Sequence, residues 1–189
     1  MNAPTPPVIL VDENDHALGL APKLDAHESG ALHRAVSVFA FDAFGRLLLQ
    51  RRAPGKYHSG GLWSNTACTH PRVGESPEAA ARRCVREEMG VECAALEPAF
   101  AFIYRAQVAP TLVEHEYDHV FVARVLDRPS PNPDEVQEWR AASLPAVHAE
   151  VGASPQRFSA WFPLALNRLA SLPVLARATR PITAPSPTS

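Results

Sequence analysis

A chain of 189 residues with a formal net charge of −2 has one domain's length and room for a full hydrophobic core, and it gives no electrostatic case for general nucleic-acid or membrane binding. Charged residues make up 20% and hydrophobic residues 46%, the balance of a soluble globular protein. Three cysteines, an odd number in a chain without a signal peptide, argue against a disulfide framework and for a reduced, cytoplasmic compartment, and no apolar run approaches the roughly 20 residues that span a bilayer.

In chain order, residues 1–7 are expected to be a disordered tail, 8–175 a single domain, and 176–189 a second tail, Pro/Ser/Thr/Ala-rich from Pro181. Val8 to Val11 predicts a strand ending in the turn Asp12 to Asp15. Val36 to Phe41 and Leu47 to Arg51 flank Asp42-Ala43-Phe44-Gly45, the pattern of a β-hairpin. Pro77 to Met89 predicts a helix, with Ser76 as N-cap, Pro77 at the first helical position and Gly90 just past the end. Phe100 to Gln107, Asp118 to Val125 and Gln137 to Trp139 are further strand candidates. A last helix is expected from about Pro155 to Leu172, with Phe158, Trp161, Phe162 and Leu166 toward the core. Strands flanked by a middle and a terminal helix predict an α/β fold of the α+β kind, a mixed sheet sandwiched by helices.

The middle helix carries a contradiction. Glu87 and Glu88 lie in its last turn, where carboxylates oppose the helix dipole at a cost of roughly 0.3–1 kcal/mol. Glu88 also falls on the less polar face, with Cys84 and Ala81. A carboxylate so placed calls for a cation. Simple i,i+4 pairing, such as Arg83 with Glu87, is the plainer explanation of the charges.

Glu114 and Glu116 are two apart, so on a strand both point to one face and repel unless a cation joins them or one holds a proton. His115 should point away. With His27, His33 and His70 they could form a mixed nitrogen–oxygen site suited to Mn2+, Zn2+ or Mg2+. His16, His58, His119 and His148 are read as structural, like His115. Cys68, two residues before His70 and just ahead of the acidic helix, is the candidate reactive thiol. Cys84 and Cys93 are read as structural. Lys23, Arg51, Arg52 and Lys56 are the cations available to a diphosphate.

Taken together, Lys23, His27, His33, Gln50-Arg51-Arg52, Lys56, Gly61 to Asn65, Cys68-Thr69-His70-Pro71, Gly74-Glu75-Ser76, Arg83, Gly90, Tyr104-Arg105, Glu114-His115-Glu116 and Phe158 to Trp161 resemble, in order, the type I isopentenyl-diphosphate Δ-isomerases of the Nudix fold. The resemblance runs from about Val8 to Leu169. It implies that His27, His33, His70, Glu114 and Glu116 hold one divalent metal, Mn2+, Mg2+ or Zn2+. Glu88 would hold a second, substrate-linked Mg2+. Lys23, Arg52 and Lys56 would bind the diphosphate. Cys68 and Glu116 would form the acid/base pair, Tyr104 would assist Glu116, and Trp161 would face a carbocation. The partner implied is a small isoprenoid diphosphate, handled by a monomer without nucleic acid or membrane.

His27 and His33 are one residue closer in sequence than is usual in that family. Cys84 stands where Nudix hydrolases keep a glutamate, and the family often has a second arginine there. The alternatives are a Nudix diphosphohydrolase of a nucleoside-diphosphate derivative, which needs neither Cys68 nor the histidine set, and a Nudix-like binding module without catalysis.

Overall fold

In the computed structural model, which describes residues 5–182, strand β3 (His33–Phe41) is the axis of the sheet. It pairs in parallel with β8 (Leu112–Arg124) from His33↔Glu116 to Phe41↔Arg124. On its other side it pairs with the short β6 (Ala67–Thr69), Ser37 lying opposite Cys68. β1 (Val8–Val11) joins it at Leu10↔His33 and carries β2 (Ala17–Ala21) on its far edge. β7 (Ala95–Ala109) runs antiparallel along β8. β4 (Leu47–Arg52) pairs with β5 (Trp63–Ser64) and β9 (Val136–Ala142).

Helices cover both faces, which is why β3 reads as an almost continuous apolar run. Val36, Val38 and Ala40 pack with Ala80, Ala81, Cys84, Val85 and Met89 of α2 (Pro77–Met89). Phe39 and Phe41 turn to the opposite face, against α3 (Leu144–Ala153), α4 (Trp161–Leu169) and α5 (Pro173–Ala178). The expected helix-flanked mixed sheet is therefore observed. A further helix, α1 (Lys23–Ser29), sits at the end of the sheet beside β8.

α2 has the bounds and caps its sequence predicts: Ser76 accepts from the Ala79 amide at 3.2 Å, and Gly90 takes the left-handed conformation at φ 65°. Other expectations need correction. The hairpin around Asp42 to Gly45 closes at its tip, but only Phe41↔Leu47 pairs. Beyond it the strands part, because β3 is taken by β6 and β8 and β4 by β5 and β9. The terminal helix starts at Trp161 and not near Pro155. Pro155–Arg157 is a single 3-10 turn, and Phe158 is extended and bridges to Trp63. The apolar side chains expected there are nonetheless buried. The expected domain end at 175 falls inside α5, whose Val174, Leu175 and Ala178 are core residues, and the Ile182 amide donates to the Ala43 carbonyl at 2.8 Å. Residues 1–4 and 183–189 of the two expected tails lie outside the described residues. Among the described residues no helix is long and apolar enough to cross a membrane.

Candidate active site

The sheet brings together five side chains that are far apart in sequence. α1 supplies His27, the first residue of β3 is His33, the turn after β6 holds His70, and β8 presents Glu114 and Glu116. Ligand atoms of His27, His33, His70 and Glu116 lie within 4.8 Å of one another, and Glu114 forms an equally tight group with His27 and His58. The short spacing between His27 and His33 is no obstacle. α1 ends at the left-handed Gly30, the chain turns directly into β3, and the two rings stand 4.8 Å apart. His115 points away, to the Gly30 carbonyl at 2.9 Å.

The hydrogen bonds around the rings indicate what the cluster is built to hold. His27 Nδ1 lies 2.6 Å from the Lys23 carbonyl and His33 Nδ1 2.8 Å from the Ala31 carbonyl. A carbonyl only accepts, so each Nδ1 carries a proton and each ring turns its Nε2 toward the cluster. Each Nε2 faces a carboxylate: His27 Nε2 is 3.2 Å from Glu114 Oε2, and His33 Nε2 is 3.7 Å from Glu116 Oε1. His33 Nε2 and Glu114 Oε2 are buried without a hydrogen-bond partner among the described residues. A divalent cation between them would take up the nitrogen and the oxygen left unpaired, relieving the cost of burying both. The donor set therefore fits a divalent metal ion, and the fit rests on atoms otherwise left unpaired.

Burial opposes ionisation of Glu116, yet the imidazoles of His33 and His70 hold its carboxyl well below the usual carboxylate range. His70 lies 3.1 Å from Glu116 Oε1, and burial lowers its pKa to about 4. On the other oxygen, Tyr104 donates its hydroxyl to Glu116 Oε2 at 2.5 Å, and burial, then the charge of Glu116, pushes that phenol well up. Tyr104 thus remains a donor. Burial likewise pushes the Cys68 thiol up, so it keeps its proton. Asp118 follows on the same face, wholly buried, where burial and the charge of Glu116 push its carboxyl well up.

Cys68, His70, Tyr104, Glu114 and Glu116 line one cavity of about 850 Å³, together with Lys23, Arg52, Lys56, Tyr57, His58, Glu88 and Trp161. Glu88 is turned inward from α2. It accepts from Gln50 Nε2 at 2.8 Å, and burial raises its pKa to about 7. Lys56 is paired with Glu135. The Arg52 guanidinium lies 5.2 Å over the Trp161 ring, with Nη1 3.7 Å from Cys68 Sγ. Trp161 is anchored from behind, its indole N–H donating to Asn65 Oδ1 at 3.0 Å.

Of the four cations expected at a diphosphate, Arg51 stays out: it donates to the Gly61 carbonyl and pairs with Glu138. The expected Arg83–Glu87 pair forms at 2.9 Å, but Arg83 also holds both oxygens of Glu75 and reaches the His70 carbonyl, tying the histidine turn to α2. Arg82 pairs with Glu78 on the surface. Cys84 is buried against the Ala81 carbonyl and Cys93 is half-buried, both away from the cavity lining. The sequence singles out neither of two further neighbours of the cluster: Tyr57, and His58, read as structural. Tyr57 reaches His27 Nε2 at 2.9 Å, and His58 reaches Glu114 Oε1 at 2.7 Å. Both sit in a glycine-rich loop that gives no periodic signal.

A NUDIX domain model matches residues 31–162, most of the chain. "Isopentenyl-diphosphate Delta-isomerase 2" of Aromatoleum aromaticum is 52% identical over 164 residues, covering 87% of this chain and 86% of that protein. An isopentenyl-diphosphate Delta-isomerase of Streptomyces griseus is 48% identical, covering 91% and 86%. The chain belongs to the isopentenyl-diphosphate Delta-isomerases. Among solved structures, DR0079 from Deinococcus radiodurans superposes with a TM-score of 0.72 at 23% identity, over 87% of this chain and 99% of that one. A MutT protein from Methanosarcina mazei does so at 0.58 and 19%, over 73% and 92%. These two likenesses show the fold alone. Membership of the isomerases favours proton transfer over the hydrolase alternative, in keeping with Cys84 where a hydrolase keeps a glutamate.

Proposed function

We propose that this chain interconverts isopentenyl and dimethylallyl diphosphate by protonation and deprotonation, with Cys68 and Glu116 as the acid/base pair. The observation that carries the reading is their placement. They sit on β6 and β8, the two strands flanking β3, and line one cavity, one as a protonated thiol and the other as an ionised carboxylate. Shifting a double bond adds a proton at one carbon and removes one from another, and this needs one donor and one acceptor on the two sides of the substrate. The reverse reaction starts from the complementary protonation state. Tyr104 holds Glu116 in place and donates to it throughout.

Protonating an unactivated alkene makes a tertiary carbocation, which water would capture, so the reacting end must be dry. Trp161, 3% exposed, offers an indole face there, and that face already accommodates the Arg52 cation. A cation over an indole gains roughly 0.5–2 kcal/mol. Lys23, Arg52 and Lys56 would bind the diphosphate, fixing the substrate by its unreactive end. His27, His33, His70, Glu114 and Glu116 would hold one divalent ion, Mn2+, Mg2+ or Zn2+, and Glu88 a substrate-linked Mg2+. These ions would supply positive charge beside Glu116 and the diphosphate. A working Cys68 thiol suits a reducing cytoplasm.

Incubation with isopentenyl diphosphate and Mg2+, followed by product identification, tests the reading. Dimethylallyl diphosphate with the diphosphate intact is expected. Phosphate release without an alkene shift would replace the isomerase by the hydrolase.

A further inference from the structure

His58 has no part in the ligand, substrate or proton-transfer assignments above, yet it is buried at the centre of the site. Its Nε2 lies 2.7 Å from Glu114 Oε1, and both side chains are 4% exposed. Its Nδ1 is 3.2 Å from the Ser59 hydroxyl, which can donate to it. That leaves the ring hydrogen on Nε2, aimed at Glu114. The ring is held edge-on by Tyr57 at 4.3 Å and Trp161 at 6.2 Å, with His27 at 5.7 Å. Glu114 therefore has one oxygen occupied by His58. The other, Oε2, has no hydrogen-bond partner among the described residues and lies 3.2 Å from His27 Nε2.

We propose that His58 is a positioning residue for the metal site, whose N–H fixes the Glu114 carboxylate with Oε2 turned toward the ion. This rests on the reading of His27, His33, His70, Glu114 and Glu116 as a metal site. Without the bond to His58, Glu114 could rotate about its last torsion and present either oxygen, or swing away from the neighbouring charge of Glu116. Carboxylate ligands are commonly held by such an outer hydrogen bond, and losing one lowers metal affinity by about 10–100-fold. His58 is not itself a ligand in this arrangement, because the nitrogen nearest the cluster spends its hydrogen on Glu114.

The test is the affinity of the metal-stripped protein for Mn2+, measured by competition with a chromogenic chelator. His58→Phe keeps the ring volume and removes the donor, and it should bind Mn2+ about 10–100-fold more weakly. His58→Gln, whose amide can donate to Glu114, should recover most of that loss. His70→Ala serves as the ligand control and should bind more weakly still. Melting temperatures of the metal-free variants separate a damaged fold from a damaged site, and His58→Ala supplies a second donor-free side chain should Phe fail to pack. Wild-type affinity in the donor-free variant, beside a clear loss in His70→Ala, would overturn the role of His58 and leave the metal site standing. Equal weakness in His58→Phe and His58→Gln would also overturn it, because ring size and not donation would then be at work. Wild-type affinity in His70→Ala would remove the metal site itself, and the proposal with it.

Discussion

Cys68 and Glu116 share a cavity but differ in what they touch, and their substitutions should differ accordingly. Cys68 Sγ has the Arg52 guanidinium as its polar neighbour, whereas Glu116 is bound by Tyr104 and His70 and faces His33. Cys68→Ala and Glu116→Gln should each lower turnover by about 10²–10⁴-fold or more, the usual worth of an acid or base. Only Glu116→Gln should also lose metal, which elemental analysis of the purified variants would show. Cys84→Ala and Cys93→Ala should stay active. Near-wild-type isomerisation by Cys68→Ala would remove the thiol from the mechanism. At this scale the sequence was readable where spacing has a geometric meaning. Two glutamates two apart on a strand must share a face, and Glu88 must fall on the buried side of its helix. It gave no sign of Tyr57, and His58 was read as structural. Flanked by Gly55, Ser59, Gly60 and Gly61, they reach the cluster because the loop folds back over α1, a long-range event with no local signature.

Among the elements, α2 was fully legible because its stop signals are steric. Gly90 has φ 65°, and a Cβ there would stand 2.2 Å from the Ser130 carbonyl oxygen. Gly90→Ala should therefore destabilise the protein by about 1–3 kcal/mol, from both the left-handed backbone and the clash. Ser76→Ala removes a cap bond alone and should cost about 0.5–2 kcal/mol. Urea denaturation of both variants would check this, and a Gly90→Ala protein as stable as wild type would refute the packing against Ser130. α1 was missed, as were the true start of α4 and the whole of α5. α1 is seven residues long, follows Pro22 and has no side-chain cap; it buries Ala26 and His27 and little else. Such a helix is held by tertiary contact and not by propensity. The parting of β3 and β4 beyond their turn was equally hidden, because the competing partners of each strand lie far along the chain.

For the molecule as a whole, the proposed ligands join α1, β3, the turn after β6 and β8, so a bound ion should brace the fold. With free Mn2+ at about a hundred times its dissociation constant, linkage gives about 2.7 kcal/mol, which for a chain of this size raises the melting temperature by about 5–10 °C. Calorimetry of metal-stripped protein with and without Mn2+ should show that rise, and His70→Ala should abolish most of it. An unchanged melting temperature in the wild type would mean that the cluster does not hold the ion in the folded state alone.

The parallel pairing of β3 with β8 has a kinetic consequence. Between these neighbours in the sheet the chain must first lay down β4 to β7 and α2. Closing so long a loop is entropically slow, and topologies dominated by such distant contacts fold in milliseconds to seconds. His27, His33 and His70 precede β8, and the two glutamates are part of it. A newly made chain emerging from the ribosome therefore carries three imidazoles with no carboxylates to complete them until Glu116 has been synthesised and β8 has zipped against β3. On the proposed ligand set, ion capture would come at the end of maturation, with no competent centre before the sheet is shut.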